Sequence, residues 1–214
     1  MTLLASRVKE VAVNRKEKAA ETEGALKAAA KRVFARKGYL NTKITDITAE
    51  AGRAAGSFYN HFASKEELLE ALLADIAASG DESAEQADHL ADFSDPAAVR
   101  WHVKQYWDFY RENAATMLAL RQAAMVSDSF ARTIAQFGAS QAADLDDHLA
   151  HITRAGLRLP ADPGRCGMLM YNLVDTFAAT WLHEPPAGWT PPTDEEAVEM
   201  LTRFIYRGLT GRDY

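Results

Sequence analysis

The stretch that most constrains the fold is residues 42–69, TKITDITAEAGRAAGSFYNHFASKEELL. Ile44, Ile47 and Ala51 are spaced i, i+3 and i+7, which places them on one stripe of a short helix. Gly52 follows at a point where a reversal of the chain favours a residue that tolerates positive φ. A second short helix is predicted directly after this turn, so the pattern is that of a helix-turn-helix.

The second short helix is predicted from about residue 54 to residue 61. Phe58 and Phe62, at i and i+4, would face inward and leave the polar side chains around them for another surface. Such a helix has side chains small enough for it to lie in the major groove of DNA, and small residues where its backbone meets that of the neighbouring helix. Thr42 is a candidate N-cap of the first helix, and Ser64 of the helix that follows the motif.

Charge is divided unevenly along the chain. Residues 1–65 contain 13 Lys and Arg against 6 Asp and Glu, a net charge of +7, whereas residues 66–214 contain 11 against 24, a net charge of −13. The net charge of −6 for the whole chain argues against binding to nucleic acid only if this asymmetry is ignored. A basic N-terminal third joined to an acidic remainder is expected when only the first part meets a polyanion.

No motif in the sequence indicates export, metal binding or catalysis. Cys166, the single cysteine, cannot form an intrachain disulfide, and no Cys/His cluster has zinc-ligand spacing. No apolar run reaches the about 18–20 residues that span a bilayer, and the first residues lack a signal peptide's apolar region. His148 and His151 lie close to several aspartates, but a solvated acidic face is the preferred interpretation. We therefore expect no metal, no cofactor, no enzymatic activity, no membrane association and a cytoplasmic location.

Helical periodicity dominates the rest of the chain, and no strand alternation is found, so the predicted fold class is all-α. We predict a basic N-terminal arm over residues 1–20, a helix-turn-helix domain with a connecting helix over residues 21–79, and a second domain over residues 80–214. For the arm, a mobile or frayed extension and a basic segment that contacts DNA both stay open. Further helices are predicted at about 21–37, 64–79, 95–111, 114–126, 128–155, 163–183 and 194–209, with a bend at Gly138.

An ordered series of motifs runs through the first part of the chain. A helix ending in FARKGY is followed by TKITDI, by an Ala-Gly pair, by GSFYNHF and by SKEEL, at residues 34–39, 42–47, 51–52, 56–62 and 64–68. In this series, residues 21–75 resemble the DNA-binding domain of the tetracycline-repressor (TetR) family. The resemblance implies an all-helical regulator in which three helices bind DNA and six more form a dimerising, ligand-binding domain.

Three positions depart from the family's pattern. Arg53 and Ala54 stand where an apolar residue and then Ser, Thr or Pro usually open the recognition helix. The missing side-chain cap should cost about 1 kcal/mol, and Arg53 adds a cation beside the DNA. Thr48 replaces a usual alanine, which changes packing more than function.

The resemblance also implies DNA contacts, carried over position by position to Thr42, Lys43, Arg53, Ser57, Tyr59, Asn60, His61 and Lys65. Phosphate contacts are assigned mainly to Thr42, Tyr59, His61 and Lys65, and base contacts to Arg53, Ser57 and Asn60. Arg pairs with guanine and Asn with adenine, but for Arg53 and Asn60 a phosphate contact stays an equal alternative. For Tyr59 and Lys65, a packing tyrosine and a solvated lysine stay open.

The second predicted domain is rich in aromatic residues and methionine, which suit either a core or a concave apolar ligand site. A pocket lining is predicted for Trp107, Tyr110, Arg121, Phe137, Tyr171 and Asp175. By analogy with the family, apolar stripes of the last two helices are predicted to pack against a partner chain. These stripes are Leu173, Phe177 and Trp181 on one helix and Val198, Leu201, Ile205 and Leu209 on the other. Each stripe, and each pocket aromatic, could instead face the core of its own chain.

Together, these features predict a ligand-responsive transcriptional repressor. It would bind a palindromic operator in double-stranded DNA as a homodimer and be released by a small, largely apolar or aromatic effector. Two alternatives stay open. One is a helical enzyme or small-molecule carrier in which the motif is incidental, and the other is an activator or a regulator without a ligand.

Overall fold

The computed structural model describes the backbone of residues 2–84 and 89–213 and the side chains of residues 16–78 and 89–213. These residues form ten α-helices and no strand, so the all-α prediction is confirmed. The chain divides into two compact units, Met1–Ile76 and Ala77–Tyr214, called unit 1 and unit 2 below. No helix in the described part of the chain combines the length and the apolar character needed to cross a bilayer.

Unit 1 begins with a helix that is longer than predicted. The first helix runs without interruption from the second residue, so the backbone of residues 2–20 of the predicted arm is helical, while its first 15 side chains lie outside the described residues. The fourth helix starts in unit 1 and continues past its boundary. The four helices are α1 (Thr2–Lys37), α2 (Ile44–Glu50), α3 (Ala55–Phe58) and α4 (Lys65–Ala84).

The core of unit 1 is built from one apolar face of each of its four helices. One stripe of α1 is buried, and α2 and α3 add one large apolar side chain each, Ile47 and Phe58, both fully buried. The first turns of α4 contribute a leucine-rich face, which Ser64 caps by accepting a hydrogen bond from the Glu67 N–H at 3.1 Å. The buried members on α1 and α4 are Leu26, Ala29, Ala30, Val33, Phe34, Leu68, Leu69, Leu72, Leu73 and Ile76.

The turn between α2 and α3 has the predicted geometry. Gly52 has φ +63°, a backbone conformation that residues with a Cβ atom rarely adopt. Ala54 is the N-cap residue of α3 and provides no side-chain hydrogen bond, which confirms the loss expected from the sequence. α3 is shorter than predicted because the Asn60 and His61 N–H groups bond three residues back, to the carbonyls of Ser57 and Phe58, instead of four.

Six helices form the described part of unit 2 together with the end of α4. Asp95, Asp162 and Thr193 cap three of them with side-chain oxygens that accept backbone N–H bonds, and proline follows two of these caps. The helices are α5 (Pro96–Glu112), α6 (Ala114–Ala124), α7 (Asp128–Ala143), α8 (Asp146–Arg154), α9 (Pro163–His183) and α10 (Asp194–Thr210).

The single helix predicted over residues 128–155 is wrong, because α7 and α8 are separate. The Leu145 N–H bonds the carbonyl of Ala142, three residues back, and the tightened turn ends the α-helical pattern. Asp146 and Asp147 then occupy the first turn of α8, where a helix dipole favours negative charge. Gly138 lies inside α7, so the bend predicted at this residue stays a prediction.

Helix α9 lies at the centre of unit 2, packed against α5, α6, α7 and α8, while α10 packs mainly against α5. α7 and α9 approach so closely that a Cβ atom on Gly167 would lie 2.6 Å from the carbonyl oxygen of Ala142. Any larger residue at Gly167 would force the two backbones apart, so this glycine is a packing requirement.

The stripe of α10 predicted to meet a partner chain faces the core of its own chain. Each of its four members is only 3–6% exposed, a fraction too small to form a second interface. The physical reason is that α5 already covers this face of α10. The corrected residues are Val198, Leu201, Ile205 and Leu209. On α9, Leu173, Phe177 and Trp181 are half-buried, so their interface role stays a prediction.

Candidate nucleic-acid interface and interior polar cluster

Ion pairs fix α2 against α1 in unit 1. Arg32 and Arg36 each donate to the Glu50 carboxylate at 2.6 Å, and Lys37 donates to Asp46 at 2.8 Å. The hydrogen bond from Arg32 is the main cause that lowers the pKa of Glu50, and the bond from Lys37 does the same for the pKa of Asp46. Exposed pairs of this kind contribute little stability individually. Their consequence is geometric, because both ends of α2 are held to one face of α1.

Lys65 connects the start of α4 to the turn before α2. Its ammonium donates to the carbonyls of Tyr39 at 2.8 Å and Thr42 at 2.9 Å, and lies 4.0 Å from the centroid of the Tyr39 ring. Burial lowers the pKa of Lys65, and the charge of Glu66 acts in the opposite direction. The solvated-lysine alternative is therefore wrong. An ammonium has three N–H donors, so one is left for the predicted phosphate contact.

Thr42 is enclosed instead of exposed. Its side chain is 3% exposed and its hydroxyl donates to the carbonyl of Gly38 at 2.7 Å. The N-cap residue of α2 is Lys43, whose N–H donates to the Asp46 carboxylate at 3.0 Å. The Thr42 side chain is thus not presented for the predicted phosphate contact, whereas Lys43 is exposed at the entrance of α2.

The end of α3 presents a polar, exposed surface. Tyr59 is 61% exposed, with its ring edge-on to the buried Phe58 at 5.6 Å, and Asn60 is also exposed. Ser57 and His61 are half-buried, and the Ser57 hydroxyl donates to the carbonyl of Ala54 at 2.8 Å. The structure therefore gathers four of the predicted contact residues at one end of this short helix.

Arg53 is directed towards α1. Its guanidinium donates to the Glu21 carboxylate at 3.0 Å, and its Nε is buried without a hydrogen-bond partner. A base contact by Arg53 requires this ion pair to separate, which costs free energy. Base contact by this residue therefore stays a prediction.

In unit 2, four of the six predicted pocket residues meet in one polar cluster. Asp175 on α9 forms an ion pair with Arg121 on α6 and accepts a hydrogen bond from the Tyr106 hydroxyl on α5 at 3.0 Å. The Tyr171 ring is T-shaped to the Tyr106 ring at 5.6 Å. Tyr110 completes the cluster, with its fully buried hydroxyl 3.2 Å from Nε2 of His183.

Burial controls the ionisation of this interior polar cluster. It raises the pKa of Tyr106 and Tyr171, to which the Asp175 charge adds, and raises the pKa of Tyr110 to about 12. Burial also lowers the pKa of His183, and the Arg121 charge acts in the same direction. At neutral pH the cluster therefore offers neutral phenols beside one ion pair.

Sequence reasoning missed Tyr106 and His183 as members of the interior polar cluster. Tyr106 precedes Tyr110 by four residues, so helical spacing could have placed both on one face of α5. His183 has no comparable signal, because its partner lies 73 residues away in the sequence.

Trp107 and Phe137 are placed differently from the other predicted pocket residues. Trp107 is 1% exposed, packs its ring 6.0 Å from that of Phe177, and donates from Nε1 to the Asp194 carboxylate at 2.9 Å. It is therefore a core residue. Phe137 is half-buried on α7, and its pocket role stays a prediction.

His148 does not lie on the solvated acidic face that the sequence indicated. It is half-buried and meets His89 and His102, while His151 lies 3.9 Å from Asp92. The interpretation was wrong because the partners of His148 are 59 and 46 residues away in the sequence, beyond any local pattern.

The sequence of the chain is similar to that of known transcriptional regulators. Residues 26–72 match the family described as bacterial regulatory proteins, tetR family. TtgR, an HTH-type transcriptional regulator of Pseudomonas putida, is 31% identical over 182 residues, which cover 79% of this chain and 84% of TtgR. ArpR, a probable HTH-type transcriptional regulator of the same species, is 29% identical over 181 residues with the same coverage.

A solved structure extends the likeness to the fold of the chain. The crystal structure of a transcriptional regulator from Rhodococcus sp. Rha1 matches with a TM-score of 0.69 over 87% of this chain and 97% of that one, at 20% sequence identity. At this identity the match concerns the fold alone.

Proposed function

The chain belongs to the TetR family and is a DNA-binding transcriptional regulator, and we propose that it is a repressor that a small molecule releases from its operator. The observation that carries the proposal is the exposed polar end of α3, mounted on the buried Phe58 within the basic N-terminal third of the chain. The proposal includes no catalytic role. It places the protein in the cytoplasm, where bacterial DNA is.

DNA recognition is proposed to divide between base and phosphate contacts. Asn60 is the first choice for a base contact, because it is exposed at the end of α3 and an amide pairs bidentately with adenine. Tyr59, His61 and Lys43 are proposed to contact phosphates. Lys65 can add a contact through its remaining N–H while it holds the turn before α2 in place.

A homodimer is proposed on the exposed faces of α9 and α10. Three large apolar side chains are exposed there: Leu169 by 64%, Met200 by 53% and Phe204 by 71%. Exposed apolar side chains that lie together often mark a protein–protein interface. Leu169 and Phe204 also line a groove of about 260 Å³ whose lining is almost wholly apolar. The groove is lined by Pro160, Cys166, Leu169, Met170, Leu173, Phe204 and Gly208, and Ile205 and Leu209 reach it only through the 5% and 6% of their surface that is exposed. A dimer would present two α3 helices to successive major grooves, about 34–36 Å apart.

The effector is proposed to bind at the interior polar cluster. An ion pair and phenol hydroxyls among aromatic rings provide the few oriented polar groups that small-molecule sites use for specificity. Three helices, α5, α6 and α9, meet in these side chains, so a ligand that repositions Asp175 acts on all three. A ligand shifts the DNA-binding equilibrium only through its different affinity for the two states.

Binding to the DNA upstream of the chain's own gene should be tight and strongly salt-dependent. Between about 50 and 200 mM salt, six to ten phosphate contacts would lower the affinity about 10³- to 10⁵-fold. A mobility-shift titration at both salt concentrations, with light scattering on the complex, measures affinity and stoichiometry. Two or four chains per duplex are expected. No salt-dependent binding would favour an enzyme or a carrier, and one chain per duplex would remove the dimer.

Within the same assay, Asn60→Ala should weaken binding by about 1–3 kcal/mol and relax the preference at one base-pair position. Arg53→Ala tests whether the Glu21 pair separates on DNA, since a paired arginine would leave base preference unchanged. Gln136→Ala, an exposed amide on α7 and outside the proposed dimer faces of α9 and α10, is the matched control and should bind like the wild type. Unchanged base preferences for both unit 1 variants would exclude the base-contact assignment.

Effector release should appear as a coupling between ligand and operator. Compounds that copurify with the chain, identified by native mass spectrometry, should lower operator affinity about 5- to 150-fold. Tyr110→Phe removes one hydroxyl of the interior polar cluster and should weaken this response. Tyr206→Phe is the matched control, because the Tyr206 hydroxyl donates instead to the Ser94 carbonyl. A compound that binds without changing operator affinity would contradict this mechanism.

A further inference from the structure

Three histidines from separate parts of unit 2 converge on one point. His89 follows α4, His102 lies on α5, and His148 lies on α8. Nε2 of His89 is 3.2 Å from Nε2 of His102 and 2.9 Å from Nε2 of His148. One ring nitrogen from each residue lies within 4.8 Å of the other two. These residues are called the His89 cluster below.

From this convergence we propose that the His89 cluster binds one divalent transition-metal ion of the zinc class. Zinc–nitrogen bonds of about 2.0–2.1 Å in a tetrahedron place neighbouring ligand nitrogens about 3.3–3.4 Å apart. The two Nε2–Nε2 separations that involve His89, 3.2 Å and 2.9 Å, differ from that value by a few tenths of an ångström. Imidazole nitrogen is a preferred ligand of zinc, nickel, cobalt and copper, but not of magnesium or calcium.

The ring of His102 is already oriented as a metal ligand requires. Its Nδ1 lies 2.9 Å from the carbonyl oxygen of Ala98, one turn earlier on α5. The carbonyl can only accept, so Nδ1 carries the proton and Nε2 presents its lone pair to the other two rings. A carbonyl that fixes the second ring nitrogen is the usual outer-shell partner of a metal-bound histidine.

Protons satisfy this arrangement less well than a cation does. Nε2 of His89 faces two nitrogens at once but holds either one hydrogen or one lone pair. A single hydrogen shared between two acceptors gives two weak bonds, whereas a cation accepts a lone pair from each ring.

The surroundings support a defined site instead of a chance contact. Trp101 packs 5.0 Å from the His89 ring and 4.8 Å from the His102 ring, and the fully buried Phe93 lies 4.8 Å from His102. These aromatic walls restrict the rotation of the imidazoles. Three protein ligands leave one tetrahedral position for water or a small-molecule donor. The ion would tie the segment after α4 to α5 and α8.

The test is zinc and cobalt binding to the full chain, purified on a tag without histidine. Equilibrium dialysis should give one zinc per chain, and cobalt should give the intense visible bands of tetrahedral coordination. Loss of a residue that only supports a metal ligand lowers metal affinity about 10- to 100-fold. His89→Gln and His148→Gln each remove a ligand, so each should lower zinc affinity by a larger factor. His151→Gln is the matched control, a neighbouring histidine outside the cluster, and should bind like the wild type.

Circular dichroism in the presence of a chelator establishes that both glutamine variants are folded, so lost binding reports the site. X-ray absorption of the zinc complex should show three imidazole nitrogens at about 2.0–2.1 Å. Absence of stoichiometric binding by the wild type would overturn the proposal and leave a cluster of neutral histidines. Wild-type affinity in both variants would overturn it as well. Neither result bears on DNA binding, so this proposal and the proposed function fail separately.

Discussion

Phe58→Ala should lower the free energy of unfolding of unit 1 by about 3–5 kcal/mol, the usual cost of removing a buried phenylalanine ring, and should abolish operator binding. The Phe58 side chain is enclosed by the core of unit 1, since its exposed fraction is 0%. It is also the one buried residue of α3, a helix of four residues that cannot be stable alone. Without its ring, the polar end of α3 loses the support that orients it.

All four tryptophans lie in unit 2, so their fluorescence reports that unit alone, whereas circular dichroism reports both. In a urea titration, Phe58→Ala should move the unfolding transition seen by circular dichroism to a lower urea concentration. The unfolding transition seen by tryptophan fluorescence should stay unchanged. Phe58→Leu keeps most of the volume and should cost less than about 1.5 kcal/mol. Leu40→Ala, an exposed apolar truncation in unit 1, is the control. Wild-type operator affinity in Phe58→Ala would mean that α3 is held by other contacts.

Local signals in the sequence predicted most helices, because caps and apolar periodicity act within a few residues. For α9, Asp162 and Pro163 mark the start, and the helix ends at His183 as predicted. The division between α7 and α8 had no such signal. Helical periodicity continues across it, and the break depends on one tightened turn at Leu145.

Periodicity identifies which face of a helix is apolar but not what covers that face. The stripe of α10 that includes Leu201 was correctly read as apolar, yet α5 from the same chain covers it. The opposite face carries Met200 and Phe204, which remain exposed. Two apolar faces on one helix cannot be ranked from spacing, since the choice depends on how distant helices pack.

Sites built from distant residues are the hardest to predict for the same reason. Asp175 and Arg121 were predicted to line a pocket, but not to pair with each other, and the structure pairs them across 54 residues of sequence. His148 was compared only with its sequence neighbour His151, whereas its partners lie on other elements. The resemblance to a family helped only in unit 1, where the motifs are local and ordered.

Trp107→Ala should lower the free energy of unfolding of unit 2 by about 3–5 kcal/mol, because a fully buried tryptophan leaves a large cavity. The ring packs against Phe177 on α9, and its N–H donates to Asp194 at the start of α10. Arg111 pairs with the same carboxylate. Trp107 thus joins three helices, and its loss should shift the urea transition to a lower urea concentration. The operator affinity of the protein that remains folded should not change.

Two further variants separate a core role for Trp107 from the pocket role that the sequence suggested. Trp107→Phe keeps an apolar ring and loses the N–H donor. The cost should fall to about 1 kcal/mol, the net contribution of one hydrogen bond, because the Asp194 carboxylate is half-exposed and stays paired with Arg111. Trp189→Ala removes a tryptophan that is 69% exposed and should change stability by less than about 0.5 kcal/mol. If Trp107 lined a cavity for the effector, truncation would leave stability near the wild-type value and reduce effector affinity instead. The 1% exposure of Trp107 and its bond to Asp194 favour the first outcome, because a side chain already enclosed by three helices has no surface left for a ligand.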